Sequence, residues 1–195
     1  MGENDVDSED NEISYQENES AKKKRQRDAA KLVIMSAWHN ENWPSFEETL
    51  DYLPVDDFDG CFLRAVNFVR KQKFDKSNEF IKKARSRLQR KIEKNYQQPY
   101  SRIYPDILNA QLLSELEEVM HLKSCRGTSR EPARRMQMQR MWETRLIGSN
   151  SGCKGMLKME GVRPSIEDWQ RILLVRSLDR VIILDSFILN SFTLD

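Results

Sequence analysis

At 195 residues the chain has room for one domain, and 32 lysines and arginines against 31 aspartates and glutamates leave it almost neutral. Charged residues are frequent and apolar ones scarce for a compact globule, which fits helices with narrow apolar stripes and a large surface. The three cysteines, Cys61, Cys125 and Cys153, form no Cys-x-x-Cys pair, and the apolar run over residues 181–194 is short and holds Asp185 and Asn190; a disulfide frame, a zinc site and a membrane span are excluded, and a reducing compartment is expected.

Residues 1–20 carry acids and no bases, with few apolar side chains, so they read as a disordered acidic tail. No signal peptide is read there, and Val6 stands where a myristoylation signal needs Ser or Thr. The run Lys22, Lys23, Lys24, Arg25, Arg27 fits either a nuclear-import or nucleic-acid patch or the solvated first turn of a helix. The solvated turn is the commoner meaning of one short basic run. Residues 1–28 are therefore set aside as an acidic-then-basic tail.

From Ala29 the pattern is helical, with Ala30, Val33, Ile34, Ala37 and Trp38 on one face. The helix stops near His39, a loop histidine without a catalytic partner. A second begins around Trp43 and Pro44, with Ser45 and Glu48 as a capping box and Phe46, Leu50 and Leu53 facing inward. Asp59 is expected to cap a third helix with Phe62, Ala65, Val66 and Val69 buried. After a short polar turn Asp75 is expected to cap a fourth, whose stripe is Phe80, Ile81, Ala84, Leu88 and Ile92. So short a turn makes the last two antiparallel. Shifting the first hairpin by 31 positions lays Ala37 on Phe68, Trp43 on Phe74, Leu50 on Ile81 and Leu53 on Ala84. That spacing is close to a tetratricopeptide period, and such hairpins bury their stripes by stacking on neighbours.

Outside its stripe the fourth helix is basic: Lys82, Lys83, Arg85, Arg87, Arg90, Lys91 and Lys94. These seven are the candidate partner-binding residues, suited to an acidic or polyanionic partner. The competing meaning is a solvated face, since no aromatic residues interleave with the charges as stacking platforms. A fifth helix over residues 100–123 has the stripe Ile107, Leu108, Leu112, Leu116, Val119 and Met120. Pro105 either opens it or kinks it. Its acids Glu115, Glu117 and Glu118 are expected to be solvated or paired with the basic helix. Thr128 and Glu131 suggest a capping box for a sixth helix with Met138, Met141, Trp142 and Leu146. Residues 148–164 read as an inserted loop. Ser165 with Asp168 caps a last helix whose stripe is Ile166, Trp169, Ile172, Leu173 and Val175.

Several stretches together resemble one family. They are Asp59-Gly60 with Phe62 and Arg64-Ala65-Val66; Ile81 with Lys83-Ala84-Arg85; Tyr100-Ser101-Arg102 with Tyr104; and Leu113-Ser114-Glu115-Leu116-Glu117-Glu118-Val119. Trp142-Glu143 with Arg145-Leu146 and Gly148 follows, then Glu167-Asp168-Trp169-Gln170, Ile172-Leu173 and Val175-Arg176-Ser177-Leu178. In this order, over about residues 37–178, they resemble the FAT domain of target-of-rapamycin (TOR) kinases, within the phosphatidylinositol-3-kinase-related kinases. The resemblance implies an all-α fold, an α-solenoid of tetratricopeptide-like antiparallel hairpins. The expected form is a right-handed superhelix over residues 29–178. In the family that solenoid wraps and restrains a kinase domain.

Three departures stand out: the longer residues 148–164, Pro105 within a run the family keeps helical, and residues 179–195, which read as a divergent tail. The chain is expected to be a partial product of a longer kinase gene. No glycine-rich phosphate loop, His-Arg-Asp or Asp-Phe-Gly kinase motif is present, Asp57-Phe58-Asp59-Gly60 being only an echo of the last. No catalysis, cofactor or metal is expected of this chain. The implied partners are the kinase domain, neighbouring repeats and other TOR-complex proteins, with no nucleic acid, in the cytoplasm. The rivals are a free-standing adaptor binding an acidic peptide through the basic helix, and a nuclear RNA-binding protein using the first basic run.

Overall fold

The computed structural model describes residues 6–150 and 165–179. Among the described residues all regular structure is α-helical: α1 Val6–His39, α2 Trp43–Leu50, α3 Phe58–Arg70, α4 Phe74–Asn95, α5 Tyr100–Ser124, α6 Glu131–Asn150 and α7 Ile166–Arg176. They fall into two compact units, Met1–Val55 and Asp56–Asp195.

The first unit is the hairpin α1–α2. Ala30, Ile34, Ala37 and Trp38 of α1 are buried with Phe46 and Leu50 of α2 and Leu53 beyond it. Phe46 sets the packing: its ring meets those of Trp38 and Trp43 edge-on, with centroids 6.1 and 5.4 Å away. Val33, counted in the stripe from its spacing, is 49% exposed beside Leu32 at 75%. The apolar face of α1 is wider than the short α2 can cover.

In the second unit α3 and α4 form the next hairpin. Its inner face holds Phe62, Ala65, Val66, Val69, Ile81, Ala84 and Leu88. Ser77, buried on α4, donates its hydroxyl to the Ala65 carbonyl 3.1 Å away, a bond that small residues permit by letting the backbones approach. α5 then packs on α4, and its own apolar stripe, Leu108, Leu112, Leu116 and Val119, is buried. The cross-links Arg85–Glu117 and Lys91–Asp106 have partners falling along α5 as they rise along α4, so the two are antiparallel. Between α5 and α7 the partners rise together (Tyr104 with Asp168, Glu115 with Arg176), so those helices run parallel.

The 31-residue offset holds at the level of hydrogen bonds. Asn42 N–H bonds to Ala37 O and Glu41 N–H to Trp38 O; one period on, Lys73 N–H bonds to Phe68 O and Gln72 N–H to Val69 O, all within 2.8–3.1 Å. This is a Schellman termination, with the residue after the helix in the left-handed region, and it is repeated: φ is 55° at Glu41 and 56° at Gln72. Neither is glycine, so both carry the steric cost of that conformation.

Several local expectations change. α2 is capped by Asn42, whose side chain accepts from Ser45 N–H, and Ser45 lies inside the helix. α3 is capped by Asp57 and α4 starts at Phe74, so Asp59 and Asp75 sit in first turns, where an acid still faces the positive helix end. At α6 there is no capping box: Thr128 donates to Cys125 O, and Glu131 accepts from Gly127 N–H instead. That bond, then Arg135, holds the Glu131 carboxyl below its ordinary value. α5 begins upstream of Pro105, so the proline sits inside the helix, forfeiting one bond to the Ser101 carbonyl. Ile107 and Ile166 are exposed at the edges of their stripes. The Ser165–Asp168 capping box forms as expected.

At the tails, α1 runs back to Val6 through residues whose composition predicts disorder. The helix there needs no core, because its bonds are local and Glu19 pairs with Lys23 at 2.7 Å. α6 continues through position 148 to Asn150, while the side chain of Leu146 falls outside what is described, as do residues 151–164, Cys153 among them, and residues 180–195. Leu178 and Asp179 are buried, and Arg126 reaches Asp179 at 2.6 Å.

The strained turn gives a test. Gln72→Gly should stabilise the second unit by up to about 1 kcal/mol, because relief of the left-handed strain outweighs glycine's added unfolded-state entropy. Equilibrium urea unfolding measures it, and a loss of stability would mean the φ at Gln72 carries no strain.

Candidate partner-binding surface

The seven basic residues of α4 divide by what they touch. Three are spent internally. Arg85 pairs with Glu117 at 2.7 Å, Lys91 with buried Asp106 at 2.7 Å, and Arg87 with Asp56 at 2.9 Å. Arg85 and Lys91 flank the α4 stripe and clamp α5. Lys82, Lys83, Arg90 and Lys94 are exposed. Arg90 donates only to Ser86, and no carboxylate among the described residues pairs with these four. The helix therefore has a structural side turned to α5 and a charged side turned to solvent.

Aromatic residues do accompany that charge, which the linear sequence concealed. Phe68 of α3 and Phe80 of α4 stack at 5.5 Å, Lys76 lies 5.9 Å from the Phe68 centroid, and Lys83 lies 4.9 Å from that of Phe80. Ring against ring and ammonium against ring form a short column. The rings are already engaged, so they do not stand free as platforms for bases.

The acids of α5 go to three different places. Glu117 meets the basic helix, as one reading of the sequence allowed. Glu118 instead accepts from the Trp142 indole N–H at 2.8 Å. Glu115 is fully buried and holds Arg176 of α7 by two bonds, from Nε at 2.8 Å and from Nη2 at 2.9 Å. The guanidinium also lies 4.8 Å from the Trp142 ring. One buried ion pair thus joins α5, α6 and α7, and its bidentate geometry is what arginine, not lysine, provides. Spacing could have flagged it: Glu115 stands in the same helical register as Leu108, Leu112 and Val119. A carboxylate in an apolar stripe requires a cation opposite.

Cys61 is buried at the α3–α4 contact, and burial pushes its thiol up against the opposing pull of Arg64, Lys83 and Arg87, which keeps it protonated. Asp57 and Gly60, the kinase-motif echo, serve as the cap and first turn of α3. Among the described residues no three His, Cys, Asp or Glu side chains gather as a metal site, and no helix is long and apolar enough to cross a membrane.

Two measurements probe the joint. Arg176→Met leaves the buried Glu115 carboxylate without its counter-charge, the Gln111 amide still donating to it, and should cost about 3–5 kcal/mol, whereas adding Glu115→Leu should recover most of that. A denaturation cycle on Arg176→Met, Glu115→Leu and the double variant reads it, and losses that simply add would mean the pair is not coupled. Tyr104 donates to Asp168 at 3.0 Å and so attaches α5 to the α7 cap. Burial first, and that bond second, raise the Tyr104 pKa. The folded state then holds the proton more tightly, so this stabilisation is complete below the unfolded value near about 10 and fades as pH rises past it. Tyr104→Phe should cost about 1 kcal/mol at neutral pH, and the gap to wild type should narrow above about pH 10.

The FAT domain family profile matches residues 30–183, reaching past Leu178 into the segment read as divergent. Over 150 residues, 77% of the chain, it is 30% identical to "Serine/threonine-protein kinase mTor" of Drosophila melanogaster. It is 29% identical over 76% of its length to "Serine/threonine-protein kinase TOR" of Arabidopsis thaliana, and 28% over 82% to "Serine/threonine-protein kinase TOR2" of Saccharomyces cerevisiae. The matched part is only 5–6% of each of these long relatives. An all-α array of hairpins with a repeated turn, matched over most of its length, belongs to the FAT domain family.

Proposed function

We propose that the chain is a non-catalytic scaffold segment of a TOR-type serine/threonine kinase system, packing beside neighbouring helical repeats and a kinase domain and regulating that domain. The observation that carries this reading is the FAT match across residues 30–183, in a chain whose buried ion pair, Glu115 with Arg176, joins one helix to another. The uncovered edge of α1 supports it. Leu32 and Val33 line a groove with Ala37, Ser36 and Ser45, and an adjoining amphipathic hairpin would fill it. The much greater length of the relatives leaves ample chain for such repeats. Phosphotransfer belongs to the kinase partner, and a reducing cytoplasm suits a chain with buried Cys61 and no disulfide among the described residues.

The test is to titrate the purified chain into a recombinant TOR-type catalytic domain, following binding by calorimetry and phosphotransfer to a protein substrate. The reading predicts saturable binding and a change in kinase turnover, weakened by Leu32→Asp with Val33→Asp. Absence of binding, or phosphotransfer by the chain alone, would contradict it.

A further inference from the structure

The solvent side of α4 is a regular array. Lys76, Lys83 and Arg90 stand seven residues apart and Lys94 four further on, so they share one face. From Lys76 to Lys94 the row runs about 27 Å. Its local acids do not neutralise it. Glu79 sits four residues before Lys83 without pairing to it, Lys83 lying over Phe80 instead, and Glu93 accepts from Gln89. The ammonium groups of Lys76 and Lys83 are held in place by the rings below them. They are therefore more ordered than surface lysines usually are, and less entropy is lost when they bind.

The chain carries the matching charge. α1 is 34 residues long against the eight of α2, and residues 19–29 are all exposed; the helical stretch before them is the acidic arm of the chain. Its acids Asp10 and Glu17 are seven residues apart, as are Glu12 and Glu19, and no basic residue precedes Lys22. On a helix that repeat advances by about 10.5 Å, the spacing of the α4 row. The basic block of α1 itself is a poorer target, because Glu19 already engages Lys23 there.

We propose that the α4 row is a docking surface for the acidic arm of a second copy of this chain. Each copy carries both an arm and a row, so it can give the one and receive the other. The contact is made of exposed ion pairs, so it is weak, rapidly exchanging and screened by salt. Its residues are other than those that line the groove beside Leu32.

Sedimentation velocity over a concentration series tests it with the full chain. Self-association is expected at low ionic strength and should vanish at about 1 M salt. Lys83→Glu with Arg90→Glu should weaken it by at least about tenfold, and so should Asp10→Lys with Glu17→Lys. Mixing the two variants should restore association, because each then offers the partner the other lacks. Circular dichroism confirms that both variants keep their helices. A chain that stays monomeric at every concentration, or a pair lost on arm reversal but kept on α4 reversal, would overturn the proposal.

Discussion

The buried pair between Glu115 and Arg176 sets the terms for the second unit. Taking a carboxylate and a guanidinium out of water costs several kcal/mol per ion, recovered only when the geometry is close and the remaining valences are met. Here the pair is bidentate, Gln111 also donates to Glu115, and the Trp142 ring lies against the guanidinium, whose Nη1 alone has no hydrogen-bond partner. Apolar contacts between α5 and α7 would tolerate a slip along the helix axes. A two-bond ion pair does not, so register is fixed where the leucines alone leave it loose. Tyr104–Asp168 and Arg126–Asp179 fix the ends of the same contact.

On the other side of α5 the logic is different. Arg85 and Lys91 reach across at the margins of an apolar seam, and only Asp106 of those contacts is buried. Exposed pairs of this sort contribute little stability, so α4 and α5 are held by the apolar seam and merely oriented by charge. Spending two cations toward α5 leaves the opposite side of α4 basic and without carboxylate partners among the described residues, and the proposed docking rests on that side.

Much of this was legible in the residues. The stripes of α3, α4 and α5 came from spacing alone, and the 31-residue offset between hairpins foretold a repeated turn. The hydrogen bonds at residues 37–42 and 68–73 show that turn to be the same structure twice. Misplaced caps have a common cause: Asn42 and Asp57 stand just ahead of more obvious candidates at Ser45 and Asp59, and any of them can satisfy first-turn N–H groups. Glu115 was missed because a solvated acid is the commoner case, and Phe68 and Phe80 because their stacking needs two helices side by side. The family resemblance, carried by runs such as residues 113–119, located the fold more surely than any single periodicity.

The claim that α7 is locked onto α5 through the buried pair is open to native-state amide hydrogen exchange. The central turns of α5, from Leu112 to Val119, and those of α7, from Ile172 to Arg176, should exchange with one common opening free energy, equal to that of unfolding the second unit. Exchange of α7 through a separate, lower-energy opening while α5 stays protected would show that the ion pair does not hold the two helices as one body.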